Sequence, residues 1–173
     1  MQNDGESSST KLPMSIVVAL RNVSEEDLQV FFEQQSDRDA NWMVAFMARD
    51  PADRAAFDAH WMKIRNDPAI TIRTIVFKGR ISGNVASFMR GEQREVCYWI
   101  GKEFWGRGIA TAALTELLRI VCVRPIYARV VKDNAASLRV LEKCGFAICG
   151  EDRGYANARG MNVEEFILRL DAV

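Results

Sequence analysis

No apolar stretch in the 173-residue chain approaches the roughly 20 residues needed to span a bilayer, and the N-terminus lacks a basic-then-apolar signal pattern. Both absences predict a cytoplasmic protein with no membrane partner. Charge of one sign is also missing: Lys plus Arg and Asp plus Glu each total 23, so the formal net charge is zero. Such a balance provides no electrostatic footprint for nucleic acid, although a local basic patch is compatible with it. The four cysteines, Cys97, Cys122, Cys144 and Cys149, form no CxxC pair. Their apolar or strand-like settings predict reduced thiols in or near the core. With His60 as the single histidine, a zinc site would need scattered ligands, and no metal is expected.

What is present suits one well-buried core and is short for two. Residues 1–13 are polar and Ser-rich and read as a disordered tail, leaving 14–173 as a single domain. Residues 16–20 form a run of strand length. Ser24 followed by Asp27 is an acidic variant of a helix capping box, with Leu28, Phe31 and Phe32 at helical spacing behind it. A second helix is predicted over 51–64, opened by Pro51. The period then changes to two: strands are expected over 71–77, 81–89 and 95–100, a β-meander. Ile109, Ala113 and Leu117 recur every four residues in a clear helix. A strand over 126–131, a helix over 134–144 stopped by Gly145, and strands over 147–149 and 163–170 follow. The predicted class is mixed α/β in one domain, in the order β-α-α-β-β-β-α-β-α-β-β.

The segment Trp105-Gly106-Arg107-Gly108-Ile109-Ala110 joins a meander strand to a helix. A helix N-terminus offers unpaired N–H groups and partial positive charge, which suit an anion. Gly106 and Gly108 let the backbone approach a pyrophosphate closely, and Arg107 adds a permanent charge. A tight turn with no ligand would use the same glycines. Two other phosphate motifs lack parts: Gly108-Ile109-Ala110 stands where a P-loop needs GK[ST], and Thr111 stands where a dinucleotide fingerprint needs its third glycine.

This turn and the later run Asn134-Ala135-Ala136-Ser137-Leu138-Arg139-Val140-Leu141-Glu142-Lys143-Cys144-Gly145-Phe146 resemble the GCN5-related N-acetyltransferase (GNAT) superfamily, in the branch of ribosomal-protein N-terminal acetyltransferases. The family signature is Gln or Arg, two residues, Gly, one residue, then Gly or Ala. Gly108 and Ala110 match its last marks, and Trp105 departs from its first. The resemblance implies acetyl-CoA as co-substrate and no metal. It implies that the backbone of Trp105, Gly106, Arg107, Gly108, Ile109, Ala110 and Thr111 holds the pyrophosphate. The strand residues Tyr98, Trp99 and Ile100 are expected to bond the pantetheine arm and acyl carbonyl through their backbone, and Asn134 to contact the arm. Asn134 also reads as a plain helix N-cap, and the two roles are compatible.

The reaction implied is direct attack of an amine on the thioester, which requires deprotonation of the amine and stabilisation of the departing sulfur. Many relatives supply a Tyr where Leu141 stands. The ribosomal-protein branch instead has a Ser where Ser137 stands, so the resemblance implies Ser137 as the sulfur partner; it reads equally as a helix Ser bonding its own backbone. Glu95 is the first candidate for the base, acting through water, or else a solvated strand carboxylate. His60, Asp152 and Tyr155 are weaker candidates. Trp42, Phe46, Phe57 and Trp61 would either shape an acceptor pocket or fill core, and Asp37 and Asp39 could pair with an incoming ammonium. The acceptor is a small molecule or a protein N-terminus, and the resemblance leaves room for a homodimer. A non-catalytic acyl-CoA sensor, or a nucleotide-binding module using the same turn, are the readings from other classes.

Overall fold

In the computed structural model, residues 16–46 and 49–172 are described, so the expected tail lies outside the described residues. Seven strands form one sheet: β1 (Ala19–Arg21), β2 (Thr71–Phe77), β3 (Arg80–Arg90), β4 (Gln93–Ile100), β5 (Ile126–Val131), β6 (Ala147–Ala156) and β7 (Met161–Leu170). Their spatial order is β1-β2-β3-β4-β5-β7-β6. Every neighbouring pair is antiparallel except β4 and β5, which are parallel. The helices are α1 (Asp27–Gln35), α2 (Arg38–Val44), α3 (Arg54–Asn66), α4 (Ile109–Ile120) and α5 (Ala135–Lys143).

The expected order of strands and helices is present, with α2 as one further short helix between α1 and α3. Asp37 caps α2, accepting a bond from the Ala40 N–H at 2.9 Å. The last hairpin is longer than its apolar residues foretell. β6 is an edge strand with nearly every side chain in solvent, so its sequence carries little of the alternation that marks a half-buried strand. The thiols are free, but Cys122 and Cys149 are exposed, which corrects their placement in or near the core. Cys97, on β4, keeps an accessible surface, although burial pushes its thiol up to about 11. Cys149 sits at the register shift of this edge strand, and Cys122 follows the end of α4. Among the described residues, no helix is long and apolar enough to cross a membrane.

Two apolar layers sandwich the sheet. On one face, Ile109, Ala113, Leu114 and Leu117 of α4 pack on Ile75, Val85, Val96 and Ile126. On the other, Leu28 and Phe31 of α1 and Phe57 and Trp61 of α3 pack on Ile72 and Ala86. Side chains alternate faces along a strand. Val96, Tyr98 and Ile100 of β4 therefore face α4, whereas Glu95, Cys97 and Trp99 face α1 and α3. That alternation decides which β4 side chains can meet which part of a ligand.

Candidate active site

β4 and β5 are registered at one pair among the described residues, Glu95 with Tyr127. Beyond it, towards Ile100, the two parallel strands share no further registered pair among the described residues, which leaves the β5-facing edge of β4 unpaired and a gap beside it. Trp99 turns its carbonyl towards β3; a Cβ on Gly83 would lie 1.9 Å from that oxygen. The strand repeat then aims the main-chain groups of Tyr98 and Ile100 at the gap. The Ile100 carbonyl accepts a 2.8 Å bond from the Trp105 indole, so the Tyr98 peptide groups and the Ile100 N–H are those left facing it. This bond also explains Trp105, the departure from the family signature: its side chain braces the turn against β4.

The turn leads into α4 through two left-handed glycines, Gly106 at φ 71° and Gly108 at φ 72°. Gly108 is the N-cap and no side chain caps the helix. The first helical bond runs from the Ala112 N–H to the Gly108 carbonyl at 3.1 Å, so the N–H groups of Ile109, Ala110 and Thr111 have no helical partner. They point, with the dipole, at a cavity of about 360 Å³, within the size range of small-molecule sites. Its rim carries Arg107, Arg139 and Lys143. Arg139 and Lys143 lie four apart on α5 and share a face. Their spacing was readable in the sequence, but which way that face turns depends on how α5 docks.

Ser137 and Asn134 line the same cavity as Tyr98. Asn134 caps α5, its Oδ1 accepting from the Ser137 N–H at 3.0 Å, while its Nδ2 donates to the Met43 carbonyl of α2 at 3.0 Å. The cap thus ties the start of α5 to α2 across the mouth of the gap. The Tyr98 hydroxyl lies 2.6 Å from Ser137 Oγ. Burial pushes the Tyr98 phenol up to about 12, with the bond to Ser137 opposing the rise. Leu141, where many relatives carry a tyrosine, is 1% exposed in the α4-side core. A phenol therefore does reach Ser137, but from β4 rather than α5. Sequence reading expected only the backbone of Tyr98 to act, because the pairing spans 39 positions and no local pattern records it.

The opposite face holds the other candidates. Glu95 is 3% exposed. Its Oε1 accepts from Arg129 Nε at 3.1 Å, and its Oε2 lies 3.1 Å from Arg90 Nε. Both oxygens are thus committed to guanidinium groups, which a free base would not be. Arg129 also binds Asp152 and Glu165, each at 2.7 Å. Burial acts to lower its pKa, but the bonds to Asp152, Glu165 and Glu95 outweigh this and raise it. Asp37 caps α2, and Asp39 is paired with Lys102; neither is a free anion awaiting an ammonium. His60, on α3, does not line the cavity, and Tyr155 is 60% exposed on β6. The four aromatics divide: Phe57 and Trp61 are core, whereas Trp42 and Phe46 are exposed. Arg159 lies over the Trp42 ring at 5.0 Å. Among the described residues, no group of three or more His, Cys, Asp or Glu is placed to hold a metal.

A family profile described as the acetyltransferase (GNAT) domain matches residues 18–147. No curated protein matches the chain. Among solved structures, spermidine N-acetyltransferase from Vibrio cholerae in complex with CoA and spermine aligns with TM-score 0.77 at 18% identity, covering 89% of this chain and 95% of that one. Ribosomal-protein-alanine N-acetyltransferase from Brucella melitensis aligns with TM-score 0.74 at 20% identity, covering 89% and 99%. Mycobacterium smegmatis RimJ in complex with CoA-disulfide aligns with TM-score 0.74 at 22% identity, covering 90% and 82%. At these identities the likeness is one of fold.

Proposed function

Because the chain belongs to the GNAT acetyltransferase family, we propose that it transfers an acetyl group from acetyl-CoA to a primary amine, of a small molecule or a protein N-terminus, by direct attack. The observation that carries this reading is the uncapped start of α4 opening onto the gap between β4 and β5. A pyrophosphate fits there on chemical grounds: three unbonded N–H groups, a glycine at 106 whose added Cβ would meet nothing within 4 Å, and three cations at the rim. The similar V. cholerae and M. smegmatis enzymes were crystallised with CoA and CoA-disulfide, which supports the same ligand class.

Acetyl-CoA would supply the activated acyl group. The N–H groups of residues 109–111 would hold its pyrophosphate, and the main chain of Tyr98 would bond its arm and orient the carbonyl. Ser137 would face the sulfur from the α5 side. The amine would arrive from the α1 and α2 side and give its proton to water, since Glu95 is held by Arg90 and Arg129. The carboxylates of that cluster, Glu95, Asp152 and Glu165, are already matched to arginines. They form no spare acidic cluster for a polyamine, and the favoured acceptor is a monoamine.

Calorimetric titration with acetyl-CoA, with ATP and NAD as controls, tests the binding half. Selective saturation on the order of micromolar, about 8 kcal/mol, is expected. A thiol-release assay over a panel of amines and peptide N-termini tests the chemistry. Binding with no thiol release from any amine would make the protein a sensor, and no binding of any acyl-CoA would end the proposal.

A further inference from the structure

Tyr98 and Ser137 form a hydroxyl pair across which either oxygen can donate. Each hydroxyl has one hydrogen to give. Tyr98 Oη stands 2.6 Å from Ser137 Oγ and 3.3 Å from the Ser137 carbonyl oxygen, and that carbonyl can only accept. A phenol raised to about 12 by burial stays protonated at neutral pH, so it is a donor. Both of its near neighbours lie on Ser137, and Oγ at 2.6 Å is nearer than the carbonyl at 3.3 Å, so we assign the phenol hydrogen to Oγ. The reverse arrangement, with the phenol giving to the carbonyl and Oγ giving to the phenol, is the one the test below separates from it. As assigned, Ser137 Oγ is an acceptor from Tyr98, and its own hydrogen must point elsewhere. A helical serine ordinarily gives that hydrogen to the carbonyl four residues back, but Ser137 makes no such bond. In that arrangement the Ser137 hydrogen is free to be given to the cavity that Ser137 lines.

Resting on the acetyltransferase reading above, we propose that Tyr98 is a positioning residue that holds Ser137 as an acceptor and thereby aims the Ser137 proton at the sulfur of bound CoA. In the reaction, the amine nitrogen bonds to the thioester carbon, the C–S bond breaks and its electron pair goes to sulfur. Of the two protons that the ammonium nitrogen gives up, one ends on sulfur and one in solvent. The Ser137 hydroxyl, oriented by Tyr98, supplies a hydrogen bond to the sulfur while it carries negative charge. Tyr98 keeps its proton throughout. The phenol thus does through the serine what a tyrosine at the position of Leu141 would do directly.

The test needs no acceptor. Free CoA is bound to the protein, and its thiol is titrated by the ultraviolet absorbance of the thiolate. A donor aimed at sulfur favours the thiolate. The bound thiol is therefore expected to titrate about one pH unit lower in the wild type than in Tyr98→Phe. Ser137→Ala should give the same rise, the double variant no more than either single one, and Ser137→Thr should recover most of the lowering. In acetyl transfer, Tyr98→Phe should lower kcat about ten-fold with the Kd for acetyl-CoA unchanged. CoA that binds Tyr98→Phe or Ser137→Ala with its thiol titrating as in the wild type overturns the positioning role alone. Should Tyr98→Phe fail to fold, Ser137→Ala decides by the same reading. A wild type that binds no CoA overturns the cofactor assignment, and this inference with it.

Discussion

Asp27 is 1% exposed and yet ionised, because every neighbour it has favours the charge. Burial pushes its pKa up, but Arg21 donates two 2.6 Å bonds, Thr74 a third at 2.6 Å and the Ser24 N–H a fourth at 2.9 Å. The balance lowers it from an ordinary carboxyl value to about 2. The Ser24 bond is the reciprocal half of the capping box that the sequence suggested. The other bonds tie α1 to β1 and β2. With the folded pKa depressed, the stabilisation is present above the unfolded value, near pH 4, and is lost as pH falls towards 2. It amounts to about 2 kcal/mol. Asp27→Asn should therefore lower stability by about that much at pH 7 in denaturant unfolding. The gap between variant and wild type should shrink as pH falls from 4 towards 2. A gap that stays constant over that range would mean that charge on Asp27 contributes nothing.

The turn into α4 is the element on which the cofactor reading depends, and its glycines differ in their surroundings. Both have positive φ, so alanine at either position costs about 1 kcal/mol of backbone strain. At Gly108 the added methyl would also meet Ile16 Cδ1 at 2.8 Å, the far end of a flexible side chain that can shift, whereas at Gly106 it meets nothing within 4 Å. The open space before Gly106 is where a pyrophosphate would approach. Gly106→Ala should cost about 1 kcal/mol of stability and weaken acetyl-CoA binding roughly ten-fold by calorimetry, as the backbone is held off its ligand. Full affinity in Gly106→Ala would place the phosphates elsewhere. This element was legible because its signals are local: two glycines and a four-residue apolar repeat. α2 was not, since seven residues with one cap leave a weak period. The exposed β6 likewise has no buried face to write into its sequence. The Tyr98–Ser137 pair was hidden for a different reason, because only the docking of α5 beside β4 creates it.

At the scale of the whole molecule, the parting of β4 from β5 that opens the cavity also leaves two half-sheets joined by little backbone pairing. Side chains make up the join. Glu95 on β4 binds Arg90 of β3 and Arg129 of β5, and Arg129 reaches on to Glu165 of β7 and Asp152 of β6. One ion cluster thus bridges five strands at the root of the gap. Glu95→Gln should lower stability by about 1–2 kcal/mol, less than a lone buried pair would lose, because Arg129 keeps two carboxylates. If Glu95 holds the join, kcat should fall only a few-fold. A fall of a hundred-fold or more, with loss of the acid limb of the pH–rate profile and unchanged stability, would restore Glu95 as the base.

Net charge zero hides a second arrangement at this scale, since Arg107, Arg139 and Lys143 gather at one cavity rim. A neutral protein can attract a polyanion only through such a local surplus. Each of these cations is exposed, so each contact is worth about 0.5–1 kcal/mol and is screened by salt. Arg139→Ala and Lys143→Ala should each raise the Kd for acetyl-CoA about two- to five-fold at low salt, and the double variant about ten-fold. In the wild type the affinity should fall as salt rises from 0.05 to about 0.5 M, where the Debye length drops well below 10 Å. The double variant should show a much flatter dependence. Equal salt slopes in the two proteins would mean that the rim cations do not meet the phosphates, and that the turn binds its anion by N–H groups alone.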